Sequence, residues 1–112
     1  MRSDELKQLM SKSGLPVAVR VFNEQQELPF IIILPTGGAA GGSDLGNEIT
    51  RTDYHIELYS AEKDDVSEAK IEAILDEDGT KWEKDEDYLQ EEAVYMVVYA
   101  ISYNEKVRVK ND

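Results

Sequence analysis

The segment EAVYMVVYAISY, from Glu92 to Tyr103, has the clearest strand pattern in this chain of 112 residues. In an extended segment, alternate side chains fall on the same face of the strand. One face then carries Tyr95, Val97, Tyr99, Ile101 and Tyr103, and the other carries Val94, Met96, Val98 and Ala100. Because both faces are apolar, the pattern predicts a strand that is central in its sheet or is covered by a neighbouring subunit.

The segments that precede this strand show further strand and helix patterns. The predicted elements are a helix at 3–13, strands at 17–22, 28–34 and 48–60, a helix at 64–78 and a short strand at 81–87. The strands at 17–22 and 28–34 are predicted to form a hairpin. The complete order, α-β-β-loop-β-α-β-β, is typical of an α+β fold. We expect one domain over 1–112, with an antiparallel β-sheet, two helices packed largely on one face and a polar tail at 105–112.

The segment PTGGAAGGSDLGNEI, residues 35–49, contains five of the seven glycines of the chain. Glycine loses more backbone entropy on ordering than other residues, so we expect a flexible loop at about 36–47. A nucleotide-binding loop of the form GxxxxGK[ST] needs a lysine for the phosphates. This segment contains neither a lysine nor a GxGxxG pattern. The sequence leaves open whether the loop is a functional arm or is simply disordered.

The chain is strongly acidic, with 24 acidic residues, 12 basic residues and a net charge of −12. Tight binding to the DNA backbone needs clustered Lys and Arg, and here the basic residues are scattered. The charge is compatible with a surface that repels passing DNA, with a mimic of DNA, or with solubility alone. The apolar runs are far shorter than the roughly 18 residues of a membrane span, so we expect a soluble, cytoplasmic chain without membrane contacts.

No residue pattern points to catalysis, a cofactor or a metal ion. The only histidine, His55, has Asp53 and Glu57 on its strand face but no nucleophile motif such as GxSxG. A calcium loop aligned on Gly79 would lack its first ligand and its final bidentate Glu. The chain has no cysteine, which excludes thiol nucleophiles and zinc–thiolate sites. We therefore predict no catalytic, cofactor-binding or metal-binding residues and no enzymatic activity.

The tyrosines on the last predicted strand allow two interpretations. Tyr95, Tyr99 and Tyr103 share one face, and tyrosine is enriched in protein association surfaces. The same side chains also suit a core, because the ring packs while the hydroxyl finds a polar partner. The sequence does not separate a contact surface from ordinary core packing.

With this order of elements, the chain resembles the tail terminator, or head-to-tail joining, proteins of long-tailed bacteriophages and prophages. The resemblance covers about residues 13–103. It rests on three segments: SGLPVAVRVF (13–22), DYHIELYSAEKDDVSEAKIEAIL (53–75) and WEKDEDYLQEEAVYMVVYAISY (82–103). In that family, a strand ending in aromatic and aliphatic residues leads into an acidic helix, and an acidic approach precedes the last tyrosine-rich strand.

The resemblance implies a structural virion protein with no catalytic residues and no cofactor. Such proteins form hexameric rings that cap the tail tube at its head-proximal end, stop its polymerisation and offer the surface on which the head docks. The implied partners are other copies of this chain, the tail tube protein and a neck or connector protein on the head side. DNA would only pass through an acidic lumen. The implied location is the virion tail or neck, after assembly in the bacterial cytoplasm.

Loops between strands commonly make ring and tube contacts in that family, which points to 37–46 in this chain. Together with the tyrosines, the candidate contact residues are Gly37, Gly38, Gly41, Gly42, Asp44, Tyr95, Tyr99 and Tyr103. Two alternatives stay open. One is another neck or head-closure protein, and the other is an acidic DNA mimic that inhibits a nucleic-acid-binding protein.

Overall fold

The computed structural model describes residues 1–42 and 47–108, and it places two helices and five strands in this part of the chain. Their bounds are α1 (Ser3–Ser11), β1 (Val17–Val19), β2 (Phe30–Gly42), β3 (Asn47–Ser60), α2 (Asp65–Asp78), β4 (Trp82–Leu89) and β5 (Val94–Arg108). The protein is therefore an α+β protein with one five-stranded sheet.

Local sequence explains where α2 begins and ends. The carboxylate of Asp64 accepts hydrogen bonds from the Ser67 backbone N–H at 3.0 Å and from the Ser67 hydroxyl at 2.7 Å. This is the cap that satisfies otherwise unpaired N–H groups at the start of a helix. Gly79 ends the helix with a left-handed φ of 78°, a conformation that glycine adopts without steric cost. The predicted bounds of α2 are thus close to those observed.

The strand order in the sheet is β1-β2-β3-β5-β4, and the sheet is mixed. β1 runs parallel to β2, with Val17 opposite Ile31 and Val19 opposite Ile33, whereas the other neighbouring strands are antiparallel. The predicted hairpin between the first two strands is therefore wrong, and the predicted antiparallel sheet is corrected to a mixed one. The cause lies at Arg20, whose φ of 72° ends β1 and turns the chain out of the sheet. Residues 20–29 then return before β2 begins in the same direction as β1.

The core contains side chains from both helices and one face of the sheet. Leu6 and Met10 of α1 and Ile71 and Leu75 of α2 are fully buried. The sheet contributes Ile31, Ile33, Tyr54, Ile56, Leu58, Val97, Tyr99 and Ile101 to the same cluster. Each fully buried aliphatic side chain of this size contributes about 1.5–3 kcal/mol, so this face holds the domain together. β5 lies between β3 and β4, in agreement with its predicted central position.

The three longest strands continue beyond the core and form a three-stranded extension, here called the arm. The arm consists of 37–42 of β2, 47–53 of β3 and 102–108 of β5, with Gly37 opposite Asp53 and Asp53 opposite Ser102. It makes the molecule elongated, with principal extents of 55 × 28 × 22 Å and a radius of gyration of 16.2 Å. A compact domain of this length would have a radius of gyration of about 13 Å.

The arm corrects the predicted loop at about 36–47. Thr36–Gly42 belong to β2, and the backbone of Gly37–Gly42 is paired with β3. The entropic argument for a loop fails because β3 supplies hydrogen-bond partners for the glycine backbone. The part of the predicted loop at 43–46, which includes Asp44, lies outside the described residues, as does the end of the predicted tail at 109–112.

Two glycines allow a bulge where the arm leaves the core. The register of β2 against β3 shifts by one residue between Pro35 and Gly37. Gly37 has a φ of 134°, a region that side-chain-bearing residues rarely adopt. A Cβ at Gly38 would lie 2.2 Å from the carbonyl oxygen of Arg51, far inside van der Waals contact. The pair Gly37-Gly38 is therefore required by the backbone geometry of this bulge.

Candidate interaction surface

The sheet face opposite the core, here called the open face, is composed of the alternate positions of the strands. Its side chains at 30, 32 and 34 of β2, at 55, 57 and 59 of β3 and at 94, 96 and 98 of β5 are half-buried, and Ala100 is exposed. Its apolar members include Phe30, Ile32 and Leu34 of β2, Tyr59 of β3, and Val94, Met96 and Val98 of β5. An apolar face on the side of the sheet opposite the buried core is a candidate for contact with another protein.

An aromatic groove lies at the end of the open face farthest from the arm. Phe30 stacks on Tyr59 with ring centroids 5.3 Å apart, and Phe22 contacts the edge of Phe30 at the same distance. The groove has a volume of about 340 Å³, and Leu28, Leu89 and Val94 contribute to its lining. Burial, together with Glu57, raises the pKa of Tyr59 to about 12, so its hydroxyl stays protonated at neutral pH. The groove presents a largely apolar surface, with Glu92 as the one acidic residue in its lining.

A row of carboxylates borders the open face along β4. Glu83, Asp85 and Asp87 are exposed and occupy alternate positions opposite Ala100, Val98 and Met96 of β5. Alternate residues of a strand are separated by about 6.8 Å. β4 is an edge strand of the sheet, and charged side chains on an edge disfavour pairing with a copy of the same strand.

A polar cluster lies at the base of the arm. The Ser102 hydroxyl donates to the Asp53 carboxylate at 2.6 Å, and Arg51 Nε lies 3.1 Å from the same oxygen. The hydrogen bond from Ser102 is the main reason why the pKa of Asp53 is below its ordinary value. These three residues and His55 line one open cleft. Ser102 bonds to the acid and not to the histidine, so the cluster does not have the geometry of a nucleophile activated by a base.

A network of charged side chains on the core side of the sheet fixes α2 against β4. Glu68 is 3% exposed, and its carboxylate lies 2.7 Å from Lys63 Nζ and 3.2 Å from Lys84 Nζ. Lys84 also lies 3.0 Å from Glu72, and Lys63 pairs with Glu86. A buried carboxylate is tolerated only when it is paired in this way. The network therefore sets the position of the acidic edge strand relative to the body of the domain.

The pKa shifts in this network follow from the same contacts. Hydrogen bonds to Glu68 and Glu86 raise the pKa of Lys63, and the hydrogen bond to Glu72 raises the pKa of Lys84. Burial acts to raise the pKa of Glu72. The hydrogen bonds from Tyr99 and Lys84 outweigh burial, so the pKa of Glu72 lies below its ordinary value of 4.5. These shifts favour the charged forms of Lys63, Lys84 and Glu72 at neutral pH.

The lowered pKa of Glu72 makes part of the stability dependent on pH. A carboxylate with a lowered folded-state pKa stabilises the fold above its unfolded value of 4.5 and loses that contribution as the pH falls through the folded value. We expect the free energy of unfolding of Glu72→Gln to depend less on pH below about 4.5 than that of the wild type. Urea denaturation at several pH values measures both slopes, and equal slopes would contradict the assignment.

The three tyrosines of β5 face the helices and not the open face. Tyr99 is fully buried, and its hydroxyl donates to Glu72 at 2.7 Å. Tyr95 donates to Glu86 at 3.1 Å, and Tyr103 accepts from the Thr80 hydroxyl at 3.2 Å. The predicted contact role is therefore corrected for Tyr99, whose ring has no surface to offer a partner. Tyr95 and Tyr103 are half-buried against the core, which agrees with the core interpretation.

The predicted glycine positions and the tyrosines do not form one site. Gly37, Gly38, Gly41 and Gly42 lie on the β2 strand of the arm. They are exposed where the structure describes burial, at Gly37, Gly38 and Gly41. Neither the aromatic groove nor the charged network was predicted from the sequence. The alternation of Lys84 and Glu86 on one face of β4 is the only sequence signal that could have indicated the network.

The described residues, 1–42 and 47–108, contain no group of three or more His, Asp or Glu side chains placed to hold a metal ion. Neither helix in this part of the chain has the length and apolar character needed to cross a membrane. Comparison with protein-family models finds no matching family, and comparison with curated proteins finds no matching protein.

Proposed function

We propose that this protein is the ring-forming subunit of a bacteriophage tail terminator, which caps the tail tube and provides a docking surface for the head. The observation that carries the proposal is the open face, where half-buried apolar side chains and a groove lined by Phe30 and Tyr59 are left on the side of the sheet opposite the core. We further infer that both helices cover the core face alone, which leaves the open face for neighbouring molecules.

The charge of the chain supports a ring through which DNA passes. Six copies of a chain with a net charge of −12 carry a charge of −72. An acidic lumen repels phosphates and allows DNA to slide without being held. The exposed carboxylates of β4, at Glu83, Asp85 and Asp87, supply such a surface. In this proposal the protein has no catalytic role, works in the virion neck or tail and is assembled in the bacterial cytoplasm.

The proposal makes self-association dependent on salt. Acidic subunits repel one another, and raising the salt concentration from about 20 mM to about 300 mM shortens the range of that repulsion several-fold. We expect sedimentation velocity to detect monomers at low salt and hexamers at high salt and high protein concentration. A chain that remains monomeric in every condition and does not bind tail tubes would refute the proposal.

A capping assay tests the proposed activity directly. The protein is added to the tail tube protein of the same phage or prophage during tube polymerisation, and tube lengths are measured by electron microscopy. A terminator shortens the tubes and is found at one end. Another neck protein leaves the lengths unchanged and binds the head-side connector instead.

A DNA mimic is the second candidate, because three carboxylates stand at regular intervals along β4. Glu83, Asp85 and Asp87 alternate on one face of an exposed edge strand. A mimic captures a basic, nucleic-acid-binding protein through these groups, and the complex dissociates as salt rises. The salt response therefore separates the two candidates. Added salt strengthens the assembly of a ring, and it weakens the binding of a DNA mimic to a basic protein.

A further inference from the structure

The arm has a long strand edge that no other part of the described chain pairs. β1 pairs with β2 only at Ile31–Ile33, so the outer edge of β2 from Leu34 to Gly42 has no neighbouring strand among the described residues. Unpaired strand edges present rows of N–H and C=O groups that pair readily with another chain. Natural edges usually carry charges that prevent this, and 36–42 of β2 carry none.

The hydrogen bonds at the start of β2 fix which backbone groups point outward. The Ile33 carbonyl accepts from the Arg20 N–H at 2.8 Å, on the side away from β3. The backbone groups of the next residue, Leu34, therefore point toward β3 and bond to His55. Because every second residue of β3 points toward β2, the backbone groups of Asp53 and Arg51 do so as well. The groups of Ala39 then face Arg51 of β3, and those of Ala40 face outward.

A second unpaired edge lies at the opposite side of the same sheet. β4 pairs with β5 on one side only. Its length of eight residues is similar to that of the unpaired edge of β2, which has nine residues from Leu34 to Gly42. The Tyr88 N–H donates to its own neighbour, the Asp87 carboxylate, at 2.8 Å, as expected of a group on an outer edge. β2 and β4 run in opposite directions within the sheet, because β2, β3, β5 and β4 are successively antiparallel.

We propose that the outer edge of β2 in the arm pairs antiparallel with the β4 edge of a second copy of this chain. Two copies in the same orientation bring these edges together with the correct polarity, since β2 and β4 are antiparallel. The contact is head-to-tail, because one edge of each copy binds the other edge of its neighbour. Repeating this contact closes a ring when the rotation between neighbouring copies allows closure. The inference rests on the proposed function, for which it names the interface between subunits.

Charge and shape favour this pairing over the alternatives. Two β4 edges would place Asp85, Glu86 and Asp87 against their own copies, and like charges directly opposite are destabilising. The arm strand is neutral there and its side chains are no larger than Ala39 and Ala40, so it accepts an acidic neighbour without charge repulsion or steric conflict. Along the strand direction, the arm lies beyond the end of β4, so two copies joined in this way are offset from each other along that direction. Staggered strands in a closed sheet must tilt to its axis, as strands in barrels do.

The test removes one outward backbone donor from each edge. Ala40→Pro deletes an N–H that faces away from β3, and proline is tolerated on such an edge within the monomer. Ala40→Ser keeps the N–H and is the matched control. On the other edge, Tyr88→Pro and Tyr88→Thr form the corresponding pair. We expect both proline variants to keep the far-ultraviolet spectrum of the monomer and to associate at least about tenfold more weakly in sedimentation velocity, with both controls unchanged.

Cross-linking identifies the paired edges and does not depend on the proline variants being folded. Because the chain has no cysteine, Ala40→Cys and Tyr88→Cys each introduce a unique thiol. A short bis-maleimide reagent should link a mixture of the two variants to each other and neither variant to itself. Efficient linking of Ala40→Cys to itself would indicate two-fold arm pairing and would overturn the inference.

The outcomes separate this inference from the proposed function. If the wild type forms hexamers that persist in folded Ala40→Pro, the interface is wrong while the ring remains. If edge-paired oligomers form but do not shorten tail tubes, the interface stands and the terminator function fails. If the wild type never associates, both are refuted.

Discussion

Replacing Tyr99 with alanine is expected to lower the free energy of unfolding by about 3–5 kcal/mol, a large part of the stability of a small domain. The side chain is fully buried and meets Trp82 edge-on with ring centroids 5.5 Å apart. Its truncation leaves a cavity between α2 and β5. Urea denaturation at neutral pH measures the loss.

Tyr99→Phe is the matched control for this variant. It keeps the ring and removes only the hydroxyl that donates to Glu72, which still has Lys84 at 3.0 Å. We expect a loss of about 1–2 kcal/mol, because one hydrogen bond to a charged group is removed. If Tyr99→Ala instead kept full stability and lost only self-association, Tyr99 would belong to a contact surface and its position in the core would be wrong.

Replacing Gly38 with alanine is expected to disrupt the arm. The new Cβ would lie 2.2 Å from the Arg51 carbonyl oxygen, and the obstacle is backbone that cannot rotate away. The strands must separate at the bulge, at a cost of about 1–3 kcal/mol that is confined to the arm. We expect faster amide exchange at Arg51 and Asp53, whose backbone groups face β2, faster tryptic cleavage after Arg51, and loss of association between copies.

Gly41→Ala is the control for Gly38→Ala, since it makes the same chemical change on the same strand. A Cβ at Gly41 meets nothing within 4 Å, so we expect a change in stability of no more than about 0.5 kcal/mol. Equal protection of the arm amides in both variants would mean that the arm does not leave the core through the bulge described here.

The correctly predicted elements are those whose signals are local. The caps and periodicity of α2 and the alternation of β5 lie within a few residues of where they act, so both element types and the bounds of α2 were predictable. The end of β5 was not, because the strand continues to Arg108, through the first part of the predicted polar tail at 105–112. The direction of β1 relative to β2 was not predictable from the sequence. It depends on the path of residues 20–29 between the two strands and on which edge of the sheet α1 covers. Short strands with similar apolar patterns can pair in either direction, with only a small difference in stability, so the path of the connection decides.

The candidate surface was predictable only in part. The sequence indicated that β5 is apolar on both faces, but it predicted a flexible loop where the glycine segment forms a paired strand up to Gly42. It did not indicate that Tyr95, Tyr99 and Tyr103 face the helices, because alternation groups side chains by face without saying which face is covered. It also gave no reason to bring Lys63 and Lys84 to Glu68, since side chains far apart in sequence meet only after α2 packs on the sheet.

By itself, the sequence determined the two helices, the approximate positions of the strands and the acidic surface, since each follows from side chains that act over short distances. Only the tertiary structure decided that the glycine segment is a paired strand. A Gly-rich backbone is ordered by the hydrogen bonds of its neighbour, and here β3 provides them from Glu48 to Asp53. The same pairing decided which strand edges remain open, and it is on those edges that the proposed contacts between copies depend.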